Sequence, residues 1–253
     1  MVEDLTKVVV INGSPKMEKG NTARVLKPFL EGMTKAGASV ELFYAKRLNV
    51  KPCLGEFHCW NEEPGVCVQK DSMDLLYPKL RASDILVLAT PVYIPLPGEM
   101  QNLINRLCPL LEPILMWRDG RTRVKFFDDV KIRKIILVST SGWWEMGNFD
   151  TVLRIAQELA EDASVEFGGA ILRPHAHLVG EDTAKAKKVK GALKKAGYEL
   201  IERGRIPSEL LDDISQPLVS EEEYRRVSNE SYDKTKKASK ARNPQPKRSI
   251  SKK

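Results

Sequence analysis

The sequence predicts an α/β fold built on a parallel sheet, and two observations support that prediction. Short, unbroken apolar runs at residues 8–11 and 84–90 are typical of strands buried on both faces of a parallel sheet. These runs alternate with segments whose apolar residues recur at helical spacing, the first at residues 21–36. At 253 residues, of which 42% are hydrophobic, the chain is long enough for one such domain plus an appendage.

The elements follow in order along the chain. Strands are predicted at residues 8–11, 40–44, 84–90, 134–139 and 165–172. Helices are predicted at residues 21–36, 74–82, 149–161 and 183–204. A further helix is predicted after the Pro-rich segment that follows the third strand. A last helix is predicted from a capping box at Ser220 and Glu223 to about Tyr232. Pro28 lies inside the first helical pattern and predicts a kink there.

The loop after the first strand is rich in residues that bind phosphate. Gly13 lets the backbone approach an anion, Ser14 and Thr22 offer hydroxyl donors, and Asn21 can cap a helix whose N-terminus faces the ligand. The loop lacks both G-x-G-x-x-G and a G-K-[ST] ending, so a compact monophosphate such as FMN fits best. An ordinary strand-to-helix turn uses the same residue types and is an equally good interpretation of this stretch alone.

A second loop, at residues 91–97 after the third strand, contains three prolines and Tyr93. Open α/β sheets bind ligands at the carboxyl ends of their strands, so Tyr93 could border a flat ring. Filling the space between the loop and the next helix is the competing interpretation of Tyr93. His175 and His177 follow the last strand, and we expect a hydrogen-bonded pair at a strand end or subunit contact rather than a metal site.

Three cysteines lie in the irregular stretch of residues 45–71. Five residues separate Cys53 from Cys59 and seven separate Cys59 from Cys67. This spacing matches neither paired C-x-x-C zinc ligands nor the C-x-x-C redox motif. The fourth cysteine, Cys108, follows in a helical pattern and is predicted to be a core residue.

The net charge of +7 arises from the tail. Residues 234–253 carry nine Lys or Arg residues and no acid, leaving 32 basic against 34 acidic residues in the rest of the chain. We expect this tail to be disordered. It could contact nucleic acid without sequence preference, although a solubilising tail without a dedicated partner is the simpler interpretation. No apolar run has the length of a membrane span and the start lacks a signal-peptide pattern, so we expect a cytoplasmic protein with no membrane partner.

Several motifs, taken together, resemble one family. Gly13-Ser-Pro-Lys and Gly20-Asn-Thr, the cysteine stretch running into Val68-Gln-Lys-Asp, Pro91-Val-Tyr, and segments at 197–200 and 205–224 are similar to the flavodoxin-like NAD(P)H-dependent FMN reductases and iron-sulfur flavoproteins. The resemblance covers about residues 7–233. It implies a doubly wound parallel five-stranded sheet of order 2-1-3-4-5, with FMN at the carboxyl ends of strands 1 and 3.

The resemblance also implies which residues bind the cofactor. By position these are Ser14, Lys16, Asn21 and Thr22 in the phosphate loop; Pro91, Val92, Tyr93 and Ile94 along the flavin ring; and Thr140, Ser141, Gly142 and Trp143 in a third loop. No catalytic acid or base is expected, because the cofactor supplies the chemistry.

One departure from the family pattern concerns iron. The cluster-bearing relatives place a cysteine where this chain has Glu56, between Cys53 and Cys59. A four-iron cluster normally takes four thiolates, and carboxylate is a hard ligand poorly suited to this role. The sequence therefore predicts no metal site, and Cys53, Cys59 and Cys67 are at most candidates for a degenerate one.

The function implied is hydride transfer from NAD(P)H to bound FMN and on to an acceptor such as a quinone or free flavin. The alternative is a flavodoxin-type or iron-sulfur flavoprotein electron carrier that a protein partner reduces. We expect a homodimer or homotetramer. The predicted organisation is an FMN-binding domain at residues 1–205, a helical arm at 206–233 and the basic tail at 234–253.

Overall fold

A computed structural model describes residues 5–242 of the chain, with side chains described through residue 238. The chain divides into two compact units, Met1–Gln216 and Pro217–Lys253. The first unit contains the sheet and the candidate sites. No helix within residues 5–242 combines the length and apolar character needed to cross a membrane.

The first unit contains seven strands: β1 (Lys7–Asn12), β2 (Ser39–Tyr44), β3 (Ile85–Pro91), β4 (Leu111–Arg118), β5 (Arg121–Phe126), β6 (Lys134–Thr140) and β7 (Glu166–Arg173). Five of them form a parallel sheet of order β2-β1-β3-β6-β7, and β4 pairs with β5 in a separate antiparallel hairpin. In chain order the five sheet strands have the order 2-1-3-4-5, which confirms the predicted fold.

The helices of this unit are α1 (Asn21–Lys35), α2 (Ala45–Leu48), α3 (His58–Asn61), α4 (Met73–Ala82), α5 (Gly98–Asn105), α6 (Asp150–Ala163), α7 (Ala184–Arg203) and α8 (Ser208–Ser215). Side chains of α4, α5 and α6 join alternate β1 residues, Val9 and Ile11, in one core cluster. Helix α1 contacts β2, β3 and β6 and packs along α7. Strand side chains alternate between faces, so helices cover both sides of the sheet.

The β4–β5 hairpin was not predicted. Its turn is Asp119-Gly120, and both residues have positive φ, at 51° and 75°. This dipeptide is the strongest short-range hairpin signal in a sequence, so the turn could have been recognised. Strand β4 lacks the strict alternation that marks a half-buried strand, since its apolar residues Ile114, Leu115 and Trp117 are exposed.

Helix α8 belongs to the first compact unit, which ends at Gln216. The buried Arg173 of β7 explains this, because its Nη1 donates to the carbonyl oxygens of Ile214 and Gln216.

The second unit contains α9 (Glu221–Arg242). The predicted cap is present, since the Glu223 backbone N–H donates to Ser220 Oγ at 3.2 Å. The helix continues through residues 234–242, which are part of the tail predicted to be disordered. Lys and Ala are good helix formers, and the first proline of the tail is Pro244. Residues 243–253 lie outside the described residues.

We predict that Gly197→Ala destabilises the protein strongly while Gly191→Ala does not. A Cβ added at Gly197 would lie 1.9 Å from the Phe29 carbonyl oxygen, and one at Gly32 would lie 1.9 Å from the Lys194 carbonyl oxygen, so α1 and α7 cross at two glycines. We expect Gly197→Ala to lower the free energy of unfolding by about 3 kcal/mol through overpacking.

The matched control lies on the same helix. Gly191 is exposed on α7, and an added Cβ would meet no atom within 4 Å. Gly191→Ala should therefore raise the free energy of unfolding by about 0.5–1 kcal/mol. Urea unfolding followed by circular dichroism measures both, and equal midpoints for the two variants would contradict the prediction.

Candidate functional site

Three loops at the carboxyl edge of the sheet surround a pocket of about 180 Å³. Ten of the twelve residues predicted to bind FMN lie together in its wall. They are Ser14, Lys16, Asn21, Thr22, Pro91, Val92, Tyr93, Thr140, Ser141 and Gly142. Ile94 is fully exposed and Trp143 is 65% exposed, and neither lines the pocket. Gly20 and Ala176 line it without having been predicted.

Hydrogen bonds within the first loop fix its conformation. Asn12 is fully buried at the end of β1, and its Oδ1 accepts from the Ser14 backbone N–H at 2.9 Å. The Ser14 carbonyl accepts from Met17 at 2.9 Å and begins a short 3-10 turn, Met17–Lys19. Ser14 is thereby held in the wall, and Lys16 extends from this turn at the surface.

The start of α1 differs from the prediction. Gly20, not Asn21, is the N-cap residue, and no side chain caps the helix. Asn21 is instead the first helical residue, and its Oδ1 accepts from Arg24 at 3.0 Å. The first backbone N–H groups of α1 therefore lack a side-chain acceptor, and the positive end of the helix dipole lies at the pocket wall.

Two glycines of this loop have steric roles. A Cβ at Gly13 would lie 2.7 Å from the Met100 Cβ, so glycine is needed there for packing between β1 and α5. Gly13 is not among the described residues that line the pocket. A Cβ at Gly20 would lie 2.6 Å from Ser14 Oγ, so only glycine allows that hydroxyl its position in the wall.

Thr140 joins the three loops. Its Oγ1 lies 2.8 Å from Thr22 Oγ1 at the start of α1, and both threonines are buried. Its carbonyl accepts from the Val92 backbone N–H at 2.8 Å. The loop after β1 and the loop that begins at Pro91 are therefore both hydrogen-bonded to the end of β6, which fixes their relative positions.

The third loop is fixed by the segment after β7. Ser141 donates its backbone N–H to the Arg173 carbonyl at 3.1 Å and accepts from Ala176 at 3.0 Å. Ser141 Oγ accepts from the Trp143 backbone N–H at 2.9 Å, and the Trp143 carbonyl accepts from His175 at 2.8 Å. A Cβ at Gly142 would meet no other atom within 4 Å.

Beneath this loop lies a buried pair that the sequence analysis did not identify. Arg173 and His175 are both fully buried, and Arg173 Nη2 lies 2.8 Å from His175 Nε2. A guanidinium can only donate, so Nε2 accepts and the ring is neutral with its proton on Nδ1. Trp144 stacks on His175 with centroids 6.3 Å apart. The expected pair was His175 with His177, whereas the hydrogen bond described here joins His175 to Arg173.

Burial is the main cause of the unusual titration of this pair. Burial, followed by the charges of Arg173 and His177, lowers the pKa of His175 to about 4. Burial also lowers the pKa of Arg173 to about 10. A protonated His175 would place two adjacent positive charges in the interior, which the fold disfavours.

A second cavity, of about 290 Å³, is lined by Cys53, Cys59, Cys67 and Cys108. Cys108 was predicted to be a core residue in a helix, but it is half-buried and begins a 3-10 turn after α5. Its thiol forms a hydrogen bond with the thiol of Cys59. Burial, followed by the proximity of Cys59, raises the pKa of the Cys108 thiol to about 12. Within residues 5–242, no three His, Cys, Asp or Glu side chains are placed to hold a metal ion.

A buried ion pair anchors the cysteine-bearing stretch. Arg106 and Asp71, only 1% and 6% exposed, approach to 2.7 Å. Arg106 also donates to the Lys51 carbonyl at 3.0 Å, and Asp71 accepts from the Met73 backbone N–H at 2.9 Å. Although burial acts to raise it, hydrogen bonds from Arg106, Met73 and Lys51 hold the pKa of Asp71 below its usual value.

Comparison with known proteins agrees with this architecture. A family model described as NADPH-dependent FMN reductase matches residues 6–154. The match covers more than half of the chain, so the chain belongs to this family.

One relative is an iron-sulfur flavoprotein of Archaeoglobus fulgidus, 35% identical over 101 residues, which are 40% of this chain and 48% of that protein. The chain spans about half the length of the curated relatives it matches.

Two solved structures share the fold. An NAD(P)H:quinone oxidoreductase from Methanothermobacter marburgensis superposes with a TM-score of 0.53 at 16% identity, over 78% of this chain and 97% of that one. An FMN-dependent NADH-azoreductase from Bacillus anthracis, in complex with FMN, superposes with a TM-score of 0.56 at 11% identity, over 78% of this chain and all of that one. At these identities the likeness extends to the fold alone.

We predict that His175 makes the protein less stable as the pH falls. The pKa of His175 is about 4 in the folded state and near 6.5 in the unfolded state, so the unfolded chain binds the extra proton first. The stabilisation is complete above about pH 6.5 and is lost between pH 6.5 and 4. The loss for this group is about 3 kcal/mol at most.

Urea unfolding at several pH values measures this slope. In His175→Gln the slope between pH 6.5 and 4.5 should be clearly smaller, with a remainder from His177, whose pKa is also lowered by burial. A slope in His175→Gln equal to that of the unaltered protein would rule out His175 as its source.

Proposed function

We propose that the chain binds FMN in the three-loop pocket and transfers hydride from NAD(P)H to the flavin and on to an acceptor such as a quinone or free flavin. The observation that carries the proposal is the contact of Thr22 with Thr140, which joins a phosphate-type loop at the uncapped start of α1 to the two other loops. Membership of the NADPH-dependent FMN reductase family supports it.

The first loop has the chemistry to hold a phosphate. The hydroxyls of Ser14 and Thr22 and the first backbone N–H groups of α1 are donors, and Lys16 brings a positive charge. A phosphate dianion is stabilised at a helix N-terminus by these N–H groups and by the helix dipole. Among the described residues, no Asp or Glu lines the pocket, so no carboxylate among them opposes the phosphate charge.

The other two loops have the character expected of a flavin-ring site. Pro91 and Val92 offer apolar contact, and Tyr93 lines the pocket while remaining half-exposed. Ser141 and Gly142 present backbone whose position is set by hydrogen bonds to the segment after β7. Such fixed backbone donors can orient a ring and tune its redox potential.

Bound FMN would supply the hydride chemistry itself. The titratable side chains that line the pocket are Lys16 and Tyr93, so the chain offers no carboxylate or histidine as a general acid or base there. We infer that the residues of the pocket bind, orient and partly shield the flavin. The half-exposed Tyr93 marks the side left accessible to a nicotinamide and an acceptor.

A second candidate function is electron transfer without pyridine-nucleotide activity, in which a protein partner reduces the flavin. The cavity lined by four cysteines and the relatives named iron-sulfur flavoproteins favour this candidate. We also propose that the protein is cytoplasmic and forms a homodimer or homotetramer. The exposed apolar side chains Ile114, Leu115 and Trp117 of the β4–β5 hairpin support a subunit contact.

Anaerobic oxidation of NADPH and NADH in the presence of FMN and a quinone separates the two candidates. A reductase gives sustained turnover that depends on FMN. FMN binding without nucleotide oxidation would support the electron-carrier function alone. Failure to bind FMN at all would contradict both candidate functions.

We predict that Lys16→Ala and Ser14→Ala weaken FMN binding without changing riboflavin binding. Each variant removes one donor to the phosphate, and a hydrogen bond to a charged group contributes about 1.5–3 kcal/mol, or about 10–100-fold in Kd. Riboflavin has no phosphate, so its affinity should stay the same. Quenching of flavin fluorescence measures both ligands.

Lys19→Ala is the matched control. Lys19 lies on the same 3-10 turn and is exposed, but it does not line the pocket. Its removal should leave both affinities within about twofold of the unaltered protein. Equal losses in Lys16→Ala and Lys19→Ala would mean that only the general charge of the turn matters.

A further inference from the structure

A groove lined mainly by α1 and the edge strand β2 lies apart from the three-loop pocket. Its volume is about 720 Å³, against about 180 Å³ for the three-loop pocket, and no described residue lines both. A cavity of this size is typical of small-molecule sites. The apolar part of its wall consists of Ala23, Leu26, Leu30, Leu42 and the ring of Tyr44.

The pairing of β1 with β2 forms the floor of this groove. Its register places Asn12 beside Tyr44 and Val10 beside Leu42. Residues paired in register on parallel strands point to the same face, and alternate residues share that face, so these four side chains lie on one side of the sheet. Leu42 is 37% exposed. Helix α1 therefore leaves this face of β2 partly uncovered.

Asn12 brings a buried donor to the groove. Its Oδ1 accepts from the Ser14 backbone N–H at 2.9 Å, which identifies the other amide atom as Nδ2. Nδ2 is buried and has no hydrogen-bond partner among the described residues. Asn12 lines this groove and is not among the described residues of the three-loop pocket. A buried donor without an acceptor costs free energy, and a ligand that carries an acceptor would remove this cost.

Tyr44 lies at the same end of the groove, and its ring is held in place. The Arg47 guanidinium lies 4.9 Å from the ring centroid and forms an ion pair with Glu18 at 2.6 Å. Burial, followed by the charge of Glu18, raises the pKa of Tyr44. The phenol is therefore protonated at neutral pH and can donate a hydrogen bond. This end of the groove thus combines two possible donors, Asn12 and Tyr44, with apolar walls.

The charges in the wall do not favour an ionic ligand. Lys194 pairs with Glu31 at 3.6 Å, and Glu18 pairs with Arg47. An ion that left water for the apolar part of the groove would lose hydration without meeting charges of a single sign. The charged side chains that line the groove are Glu18, Lys27, Glu31, Lys35 and Lys194.

We propose that this groove binds an uncharged aromatic carbonyl compound whose carbonyl oxygen accepts a hydrogen bond from Asn12 Nδ2. A carbonyl oxygen has two lone pairs, so it can also accept from the Tyr44 hydroxyl. A flat ring presents one apolar face to Leu26 on α1 and the other to Leu42 on β2. The site is separate from the candidate flavin site, and binding there does not require FMN.

Two matched probes test the proposal. Prodan is a neutral naphthalene dye that carries a ketone, and N,N-dimethyl-naphthylamine is the same ring system without the ketone. In equilibrium dialysis we expect saturable binding of both, with Prodan bound about fivefold more tightly because of one neutral hydrogen bond. In Asn12→Ala this preference for the ketone should disappear while the ring still binds. A general loosening of the fold would weaken both probes together.

A pair of variants on β2 locates the probes. Leu42→Trp fills the floor of the groove and should weaken both probes at least tenfold. Ser39→Trp is the matched control, since Ser39 is exposed on the same strand and is not among the described residues of the groove. Ser39→Trp should change both affinities less than twofold, and circular dichroism checks the folding of each variant.

Four results would overturn the proposal. Equal binding by Leu42→Trp and Ser39→Trp would place the probes on another surface, and competition by FMN would place them in the three-loop pocket. Equal affinity of the unaltered protein for the two probes would mean that Asn12 donates to water rather than to a ligand. Tighter binding of dodecanoate than of Prodan would indicate an anionic lipid as the ligand instead.

Discussion

The parallel pairing of β3 with β6 sets the geometry on which the candidate flavin site depends. Its register places Pro91 beside Thr140, at the last residues of both strands. From that pair, the Thr140 carbonyl reaches Val92 and its hydroxyl reaches Thr22 at the start of α1. Three loops that are far apart in the sequence therefore share one attachment point, and a shift of one residue in this register would separate them.

Two fully buried arginines support the two candidate sites in different ways. Arg106 meets a carboxylate, Asp71, and also donates to backbone, so its charge is compensated where it lies. Arg173 meets backbone carbonyls and a neutral histidine. The first arrangement tolerates acid until Asp71 protonates, and the second fails earlier, when His175 takes up a proton. The base of the three-loop pocket is therefore the more acid-sensitive of the two.

The strands could be located because each buried parallel strand is a continuous apolar run, whereas their order followed from the resemblance to the flavodoxin-like family. The three loops of the site could be located because ligand loops follow such runs at the carboxyl edge. Individual roles were harder to predict. Asn21 and Gly20 are both acceptable caps by residue type, and only the backbone geometry shows that Gly20 is the cap. Nothing local indicates that Gly13 is required by Met100, which lies in a helix far along the chain.

The contact of Cys108 with Cys59 could not be predicted from the sequence for the same reason. Cys108 lies 41 residues after Cys67, and the contact depends on the packing of the 3-10 turn Cys108–Leu110 against α3. Patterns of spacing detect only residues that are near each other in the chain.

The crossing of α1 with α7 has a consequence for how this sequence can change over time. At Gly32 and Gly197 the opposing atom is a backbone carbonyl oxygen, not a side chain. No replacement elsewhere can shorten a backbone, so a larger residue at either position has no compensating partner. Because α1 also begins at the candidate phosphate loop, any lineage that keeps this loop in place inherits both glycines as fixed positions, even though neither one touches the pocket.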